Sequence, residues 1–463
     1  MRILLLSPPY KKDYMRNARC DFVSLSATQW YPLWLGYAGA WLEHRGHEVM
    51  LVDAPSRGLS HEETEGIVTR WRPDILVVYP GQQSLRNDVE FADRLTEEIG
   101  CASVLVGPFY SAKPEEALGL AAAVQYGIEG EFDHPLEELA QGRAPAEIQN
   151  LVRRDGGRVV RNSLRPYLTT EQLDAIPFVS RFFKEHVNIR GYKTISEFYP
   201  FMDLMTGRGC KWGHCIFCLW VNTFIKGSTY NVRSVDNVVE EFVYIERELP
   251  EVRSVMVQDD MLTDERALEF AARKIKRKSR IPWSCYARSN LTYETMRVMK
   301  QADCRVLHVG YESANAKILS NVRKGVTRVK MEEFTWNAKR AGLRIHGDFI
   351  IGNLGETRQT AEETIRWAKK LNPHTAQFQL ANVLEGTPFH RVLKKNGWLT
   401  PEGEPNYPDF SNEEIRRTAK QAYRSFYLSP QYAIKCLRHP YEHLFGRLKT
   451  ISVAIPAMFW RRW

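Results

Sequence analysis

At 463 residues, with 44% hydrophobic and 26% charged side chains, the chain has the composition of a globular protein with room for two or three domains. That composition excludes a disordered, fibrous or small disulfide-stapled class, and no run reaches the roughly 18 apolar residues of a spanning helix. The net charge of +9 suits nucleic acid, anionic lipid or an acidic partner, but the basic residues are widely spread without a nucleic-acid-binding signature, so no nucleic-acid partner is expected.

The opening Met1-Arg-Ile-Leu-Leu-Leu-Ser-Pro-Pro9 is too short for a signal-peptide core and reads as a buried strand, Ile3–Leu6, stopped by prolines. A cytoplasmic location is therefore expected. A helix over Trp34–His44 ends at Gly46, and strands follow at Val49–Val52, Ile75–Tyr79, Ser103–Val106 and Val124–Gly127, with helices at Asp88–Ile99 and Pro135–Ala140. This alternation predicts a doubly wound, Rossmann-like parallel sheet over residues 1–145, binding ligands beyond the carboxyl ends of its strands. Those ends carry Ser7-Pro8-Pro9, Asp53-Ala54-Pro55, Gly81-Gln82-Gln83-Ser84, Gly107-Pro108 and Gly130-Glu131. No Gly-x-Gly-x-x-Gly follows the first strand, which disfavours a nicotinamide or flavin dinucleotide.

Residues 146–195 read as a linker with hairpin-turn chemistry at Arg153-Arg154-Asp155-Gly156-Gly157-Arg158. Over 196–400 the alternation resumes with about six βα units, which predicts a partial (β/α)6 barrel with its site at the strand C-termini. Residues 401–463 are expected to form a helical C-terminal extension.

Chemistry concentrates in Cys210-Lys-Trp-Gly-His-Cys215-Ile-Phe-Cys218, directly after Gly207-Arg208-Gly209. Three thiolates hold three irons of a four-iron, four-sulfur cluster and leave the fourth iron open. The other readings are a zinc knuckle and a disulfide framework. Structural zinc normally takes four ligands in two pairs, and His214 sits too close to Cys215 to complete them easily. A long chain whose remaining cysteines (Cys20, Cys101, Cys285, Cys304, Cys436) are scattered does not suggest disulfides. Further along, polar residues fall at successive strand ends: Asp259-Asp260, then Arg288 and Asn290, Glu312-Ser313, and Gly352-Asn-Leu-Gly355-Glu356. Helix capping accounts for any one of these, and for Ser313 or Thr357 alone it is the better reading. The joint pattern after a three-cysteine loop is more specific.

On these motifs the second half resembles the radical S-adenosylmethionine (SAM) domain. The resemblance implies a 4Fe-4S cluster on Cys210, Cys215 and Cys218, with SAM chelating the open iron and cleaved to a 5′-deoxyadenosyl radical. It further implies Phe217 near adenine, Asp259 and Asp260 facing the SAM amine, Glu312 on the ribose and Lys324 on the carboxylate. Gly352 and Gly355 would admit backbone close to adenine, and Arg288 and Ser313 join the cofactor-facing set. One departure is plain: the family spacing is Cys-x-x-x-Cys-x-x-Cys, and here one extra residue lies between the first two cysteines.

The first 145 residues resemble the cobalamin-binding domain found at the N-terminus of many radical SAM enzymes, through Pro8-Pro9, Gly46-His-Glu-Val49 and Gly130-Glu131. This implies cobalamin against Gln82, Gln83, Ser84, Gly107, Gly130 and Glu131. The histidine motif that ligates cobalt is absent, and Gly107-Pro108 replaces the more usual Gly-Gly; the bland alternative is a domain that only scaffolds the catalytic half. Thr28-Gln-Trp-Tyr-Pro-Leu-Trp34, Val52-Asp-Ala-Pro55 and Cys218-Leu-Trp220 are similar to the group around the anaerobic magnesium-protoporphyrin ester cyclase and the hopanoid cyclitol-ether enzymes.

The expected activity is methylation, cyclisation or rearrangement at an unactivated carbon of a small-molecule or lipid substrate, fed by an electron donor such as flavodoxin or ferredoxin. The alternative is a non-catalytic cobalamin- or cluster-binding sensor or scaffold, which would need no SAM pocket. The tail, Leu437–Trp463, mixes bulky apolar, aromatic and basic residues. It suits either the inner membrane interface, as a peripheral contact, or packing on the barrel.

Overall fold

Three consecutive leucines, fully buried, make the first strand a core strand rather than an edge. In the computed structural model, which describes residues 1–16, 21–24, 28–194 and 196–438, β1 (Arg2–Ser7) is flanked on both sides by parallel neighbours. Each such leucine contributes about 1.5–3 kcal/mol by leaving water. The described residues form two compact units. The first comprises Met1–Thr194, Tyr199–Gly209 and Leu219–Arg253; the second holds Cys210–Cys218 and, from Ser254 on, the rest of the described chain.

In the first unit β1 lies beside β2 (Glu48–Asp53), and β3 (Ile75–Val78), β4 (Ala102–Leu105) and β5 (Tyr126–Ile128) continue the sheet in the order β2-β1-β3-β4-β5. All of these pairs are parallel. The turn at Gly156-Gly157 closes the hairpin of β6 (Leu151–Asp155) and β7 (Arg158–Arg161), which extends the same sheet antiparallel to β5. Helix α1 (Leu33–His44) is buried from Leu33 to Leu42, so it is a core element. Its Gly36 and Gly39 have a steric reason: a Cβ at either would run into the rings of Phe183 and Phe182 on the helix Val179–His186. Helix His61–Trp71 starts with a capping box, Ser60 and Glu63 satisfying each other's backbone N–H groups.

In the second unit five strands run parallel in sequence order: β8 (Ser254–Leu262), β9 (Trp283–Ala287), β10 (Cys304–Glu312), β11 (Arg344–Ile351) and β12 (Thr375–Leu380). β8 runs through Asp259 and Asp260 to Leu262, its register against β9 shifting between Val257 and Leu262. One face of the sheet packs on helices. Tyr311, Phe349 and Phe378 stack in a row against Trp367 and Tyr423. Those two partners come from the helices Arg358–Leu371 and Asn412–Tyr427, capped by Thr357 and Ser411. The opposite parity presents Tyr286, His308, His346 and Thr375, which lie in register across four strands.

Helix Pro430–Arg438 ends the described chain; Ile434 and Leu437 on it and Leu428 before it are at least half exposed. The tail from His439 to Trp463 lies outside the described residues. Among the described residues no helix is long and apolar enough to cross a membrane.

Candidate functional site

Cys210, Cys215 and Cys218 are each half-buried, and none is in a disulfide. Cys215 and Cys218 close a turn, the Cys218 N–H donating to the Cys215 carbonyl at 3.3 Å. Burial pushes the Cys215 thiol up, while the nearby Lys324 and Arg288 cations work in the opposite direction. Between the thiols, Ile216 is pinned by backbone bonds with Val322 and Phe389, and Phe217 packs on the core around them.

Glu312 ends β10 with a positive φ of 61°, just after a register shift. A non-glycine residue holds this conformation only when its surroundings over-determine it. Here Lys324 Nζ lies 2.7 Å from Glu312 Oε1, and both side chains are nearly buried. Burial alone would depress the Lys324 ammonium, but Glu312 outweighs it and holds the pKa above the ordinary value. Gly310 lies directly beneath the pair: a Cβ there would collide with Glu312 Oε1 and stand 3.0 Å from Lys324 Nζ. Arg288, from the end of β9, donates to the Lys324 carbonyl, and the Cys215 and Cys210 thiols lie within its electrostatic reach. The structure therefore brings Cys215, Arg288, Glu312 and Lys324 together.

The glycine loop after β11 closes on the same segment. Gly352 and Gly355 have φ of 97° and 76°, values that glycine adopts without strain. Asn321 donates to the Leu354 carbonyl at 2.9 Å, which ties the loop to the chain just before Lys324. Ser313 is turned inward: its hydroxyl meets Thr364 Oγ1 at 3.1 Å and accepts the Asn315 N–H at 3.2 Å. Asp259 is buried and Asp260 half-buried in β8. Composition and spacing did not single out Gly310, Trp212 or the row Tyr286–His308–His346. A glycine six residues after an unremarkable strand cysteine carries no local signal.

In the first unit, Ser84 is held in a buried network. Arg16 donates to Ser84 at 2.9 Å and to Asp88, and Ser84 donates to Asp88 at 2.6 Å. Asp88 also receives the Gly81 N–H at 2.9 Å, so this network shapes the loop bearing Gln82 and Gln83. Glu131 is paired with Arg208 at 2.8 Å, and burial raises its pKa against that pull. Arg208 also reaches Asp133 at 2.8 Å and sits 4.6 Å from the Trp34 ring centroid. Gly107 and Gly130 have φ of 100° and 76°, and a Cβ on Gly107 would come within 2.7 Å of Tyr79. Ser7, Arg16, Trp34 and Tyr79 line part of a small recess at the ends of β1 and β3.

Several known proteins are similar to this chain. Residues 204–368 match the Radical SAM superfamily, a family that implies a 4Fe-4S cluster and SAM. An uncharacterized methyltransferase of Pyrococcus horikoshii is 28% identical over 462 residues, covering 96% of this chain and 95% of its own length. The cytidylyl-2-hydroxyethylphosphonate methyltransferase of Streptomyces wedmorensis is 24% identical, covering 92% and 90%. The anaerobic magnesium-protoporphyrin IX monomethyl ester cyclase of Rubrivivax gelatinosus is 23% identical, covering 97% and 82%. Among solved structures, the cobalamin-dependent SAM radical enzyme OxsB superposes with a TM-score of 0.70 at 16% identity, over 99% of this chain and 71% of its own. The radical SAM methyltransferase TsrM of Kitasatospora setae gives 0.67 at 18%, over 90% and 84%. The chain is thus an α/β enzyme carrying a radical SAM domain at residues 204–368, similar along nearly its whole length to methyltransferases and to an anaerobic ester cyclase.

Proposed function

We propose that Cys210, Cys215 and Cys218 hold the cluster, that Lys324, Glu312, Arg288, Asp259 and Asp260 hold SAM, and that the first unit binds cobalamin for methylation or ring closure at an unactivated carbon. The observation that carries this reading is the group of cysteines outside any disulfide beside a buried Lys324–Glu312 pair and the Arg288 guanidinium. Three thiols flanked by fixed cations fit an anionic thiolate-bound cluster. When bound, that cluster supplies the electron that breaks SAM into methionine and the 5′-deoxyadenosyl radical. The chain's own residues orient the cofactor. Glu312 offers its second oxygen to ribose hydroxyls, and Lys324 and Arg288 place positive charge for the carboxylate. The glycine loop of Gly352 and Gly355 admits the adenine edge, with Phe217 nearby.

For the first unit, Gly107 and Gly130 turn the chain at the strand ends with positive φ, and Gln82 and Gln83 add amides to the same edge. Ser84 and Glu131 support this edge from inside. Two neighbours of the same fold carry cobalamin in their structures, which supports the assignment. The substrate is a small molecule with a polar reacting end, because the sheet face opposite the helices carries Tyr286, His308, His346 and Asp348, with His346 Nε2 3.4 Å from Asp348. The donor is a one-electron protein such as flavodoxin or ferredoxin, and an acidic surface on it would complement the net charge of +9.

Anaerobic reconstitution with iron, sulfide and hydroxocobalamin tests the whole. Iron, sulfide and a stoichiometric corrin should be retained, and dithionite with SAM should release 5′-deoxyadenosine. Zinc in place of iron after anaerobic purification would overturn the cluster. Absence of retained corrin would leave the first unit as a scaffold.

The bulky apolar, aromatic and basic residues of the sequence over 437–463 favour one addition, peripheral contact with an anionic membrane. Full-length protein should then float with anionic liposomes at low salt, and a chain ending at His439 should not. Equal behaviour of the two would remove the membrane contact.

A further inference from the structure

The loop between the first two cysteines is one residue longer than the family spacing, and the structure shows what that length accommodates. Trp212 is laid back onto the segment Arg323–Gly325. Its indole N–H donates to the Arg323 carbonyl at 2.9 Å. Gly325, at φ 66°, receives the indole against its bare Cα, where a Cβ would overlap the ring. Arg288 also lies over the ring, its guanidinium carbon 4.2 Å from the centroid. The same guanidinium donates to the Lys324 carbonyl, and Cys215 and Cys210 lie within its electrostatic reach.

We infer that Trp212 is the positioning residue of the cluster loop: it docks the lengthened loop on Gly325 and holds Arg288 as a fixed cation beside the cysteines, which raises the reduction potential of the cluster. The inference rests on the cluster reading above. Reduction adds a negative charge to an already anionic cluster, and a cation fixed nearby favours the reduced form. Arg288 freed from the ring would move toward water, where its charge is screened. A tryptophan face is the best aromatic support for such a cation, and phenylalanine retains part of it.

The test is the midpoint potential of the reconstituted cluster, read by optical and paramagnetic resonance titration in wild type, Trp212→Ala, Trp212→Phe and Arg288→Gln. Trp212→Ala and Arg288→Gln should each lower the ratio of reduced to oxidised cluster at a fixed applied potential at least tenfold, about 59 mV for one electron. Trp212→Phe should lie near wild type, and iron content should be the same in all four. An unchanged potential in Trp212→Ala that keeps its iron would overturn the inference. Were that variant to lose the cluster, an unchanged potential in Arg288→Gln would overturn it instead. Wild-type protein that takes up no cluster would refute the cluster reading itself, a different outcome from a cluster insensitive to Trp212.

Discussion

Replacing Glu356 by glutamine should remove a specific fall of stability with rising pH. The Glu356 carboxyl is buried at the end of the glycine loop. One oxygen accepts the N–H groups of Gly352 at 2.5 Å and Asn353 at 3.2 Å; the other is buried without a hydrogen-bond partner among the described residues. Burial pushes its pKa from 4.5 up to about 8, the two N–H groups opposing only part of that shift. Between those values the folded chain keeps a proton that the unfolded chain has released, so stability declines as pH rises through the window and levels off above it. From about pH 6 to about pH 8 the loss is roughly 2 kcal/mol. Glutamine is neutral throughout and keeps one oxygen for the two N–H groups. Urea unfolding of wild type and Glu356→Gln at these two pH values should show the variant gaining about 2 kcal/mol relative to wild type at the higher pH. The same gap at both values would refute the reasoning. SAM affinity offers a second readout: above about pH 8 it should fall in wild type and persist in the variant, because an ionised Glu356 disturbs the loop of Gly352 and Gly355.

Lys324→Met should cost about 3–5 kcal/mol by leaving Glu312 buried and unpaired, and adding Glu312→Gln should recover most of it, both read by denaturant midpoints. SAM binding should be lost in the single and the double variant alike. Gly310→Ala should keep its iron yet cleave SAM poorly, since its Cβ displaces the Glu312–Lys324 pair; wild-type 5′-deoxyadenosine release would contradict this. His346→Ala and Asp348→Asn should leave uncoupled SAM cleavage intact and reduce only the product formed on substrate, as measured by product mass; loss of uncoupled cleavage would place them with the cofactor instead.

What the sequence by itself determined is what depends on near neighbours along the chain. Apolar runs such as Ile3–Leu6 marked strands, Gly46 marked a helix end, and three cysteines within nine residues marked a candidate metal-binding loop. Parallel pairing of the strands followed from alternation, because a parallel pair requires a crossover. Tertiary structure alone decided which polar groups face a ligand and which face each other. Ser84 and Glu131 stand at strand ends in the sequence, yet Arg16, Asp88 and Arg208 enclose them, since a buried charge is tolerated only with a partner, and Arg16 and Arg208 come from 68 and 77 residues away along the chain. Glu312 and Lys324 meet because a bulge in β10 turns the carboxylate toward the segment after the next helix. Trp212 reaches Gly325 across more than a hundred residues, and no local pattern announces a tryptophan that needs a glycine beneath it. The interleaving of the two units has the same origin: residues 219–253 follow the cysteine loop in sequence but pack with the first unit, because burial of apolar faces depends on what surrounds them in space.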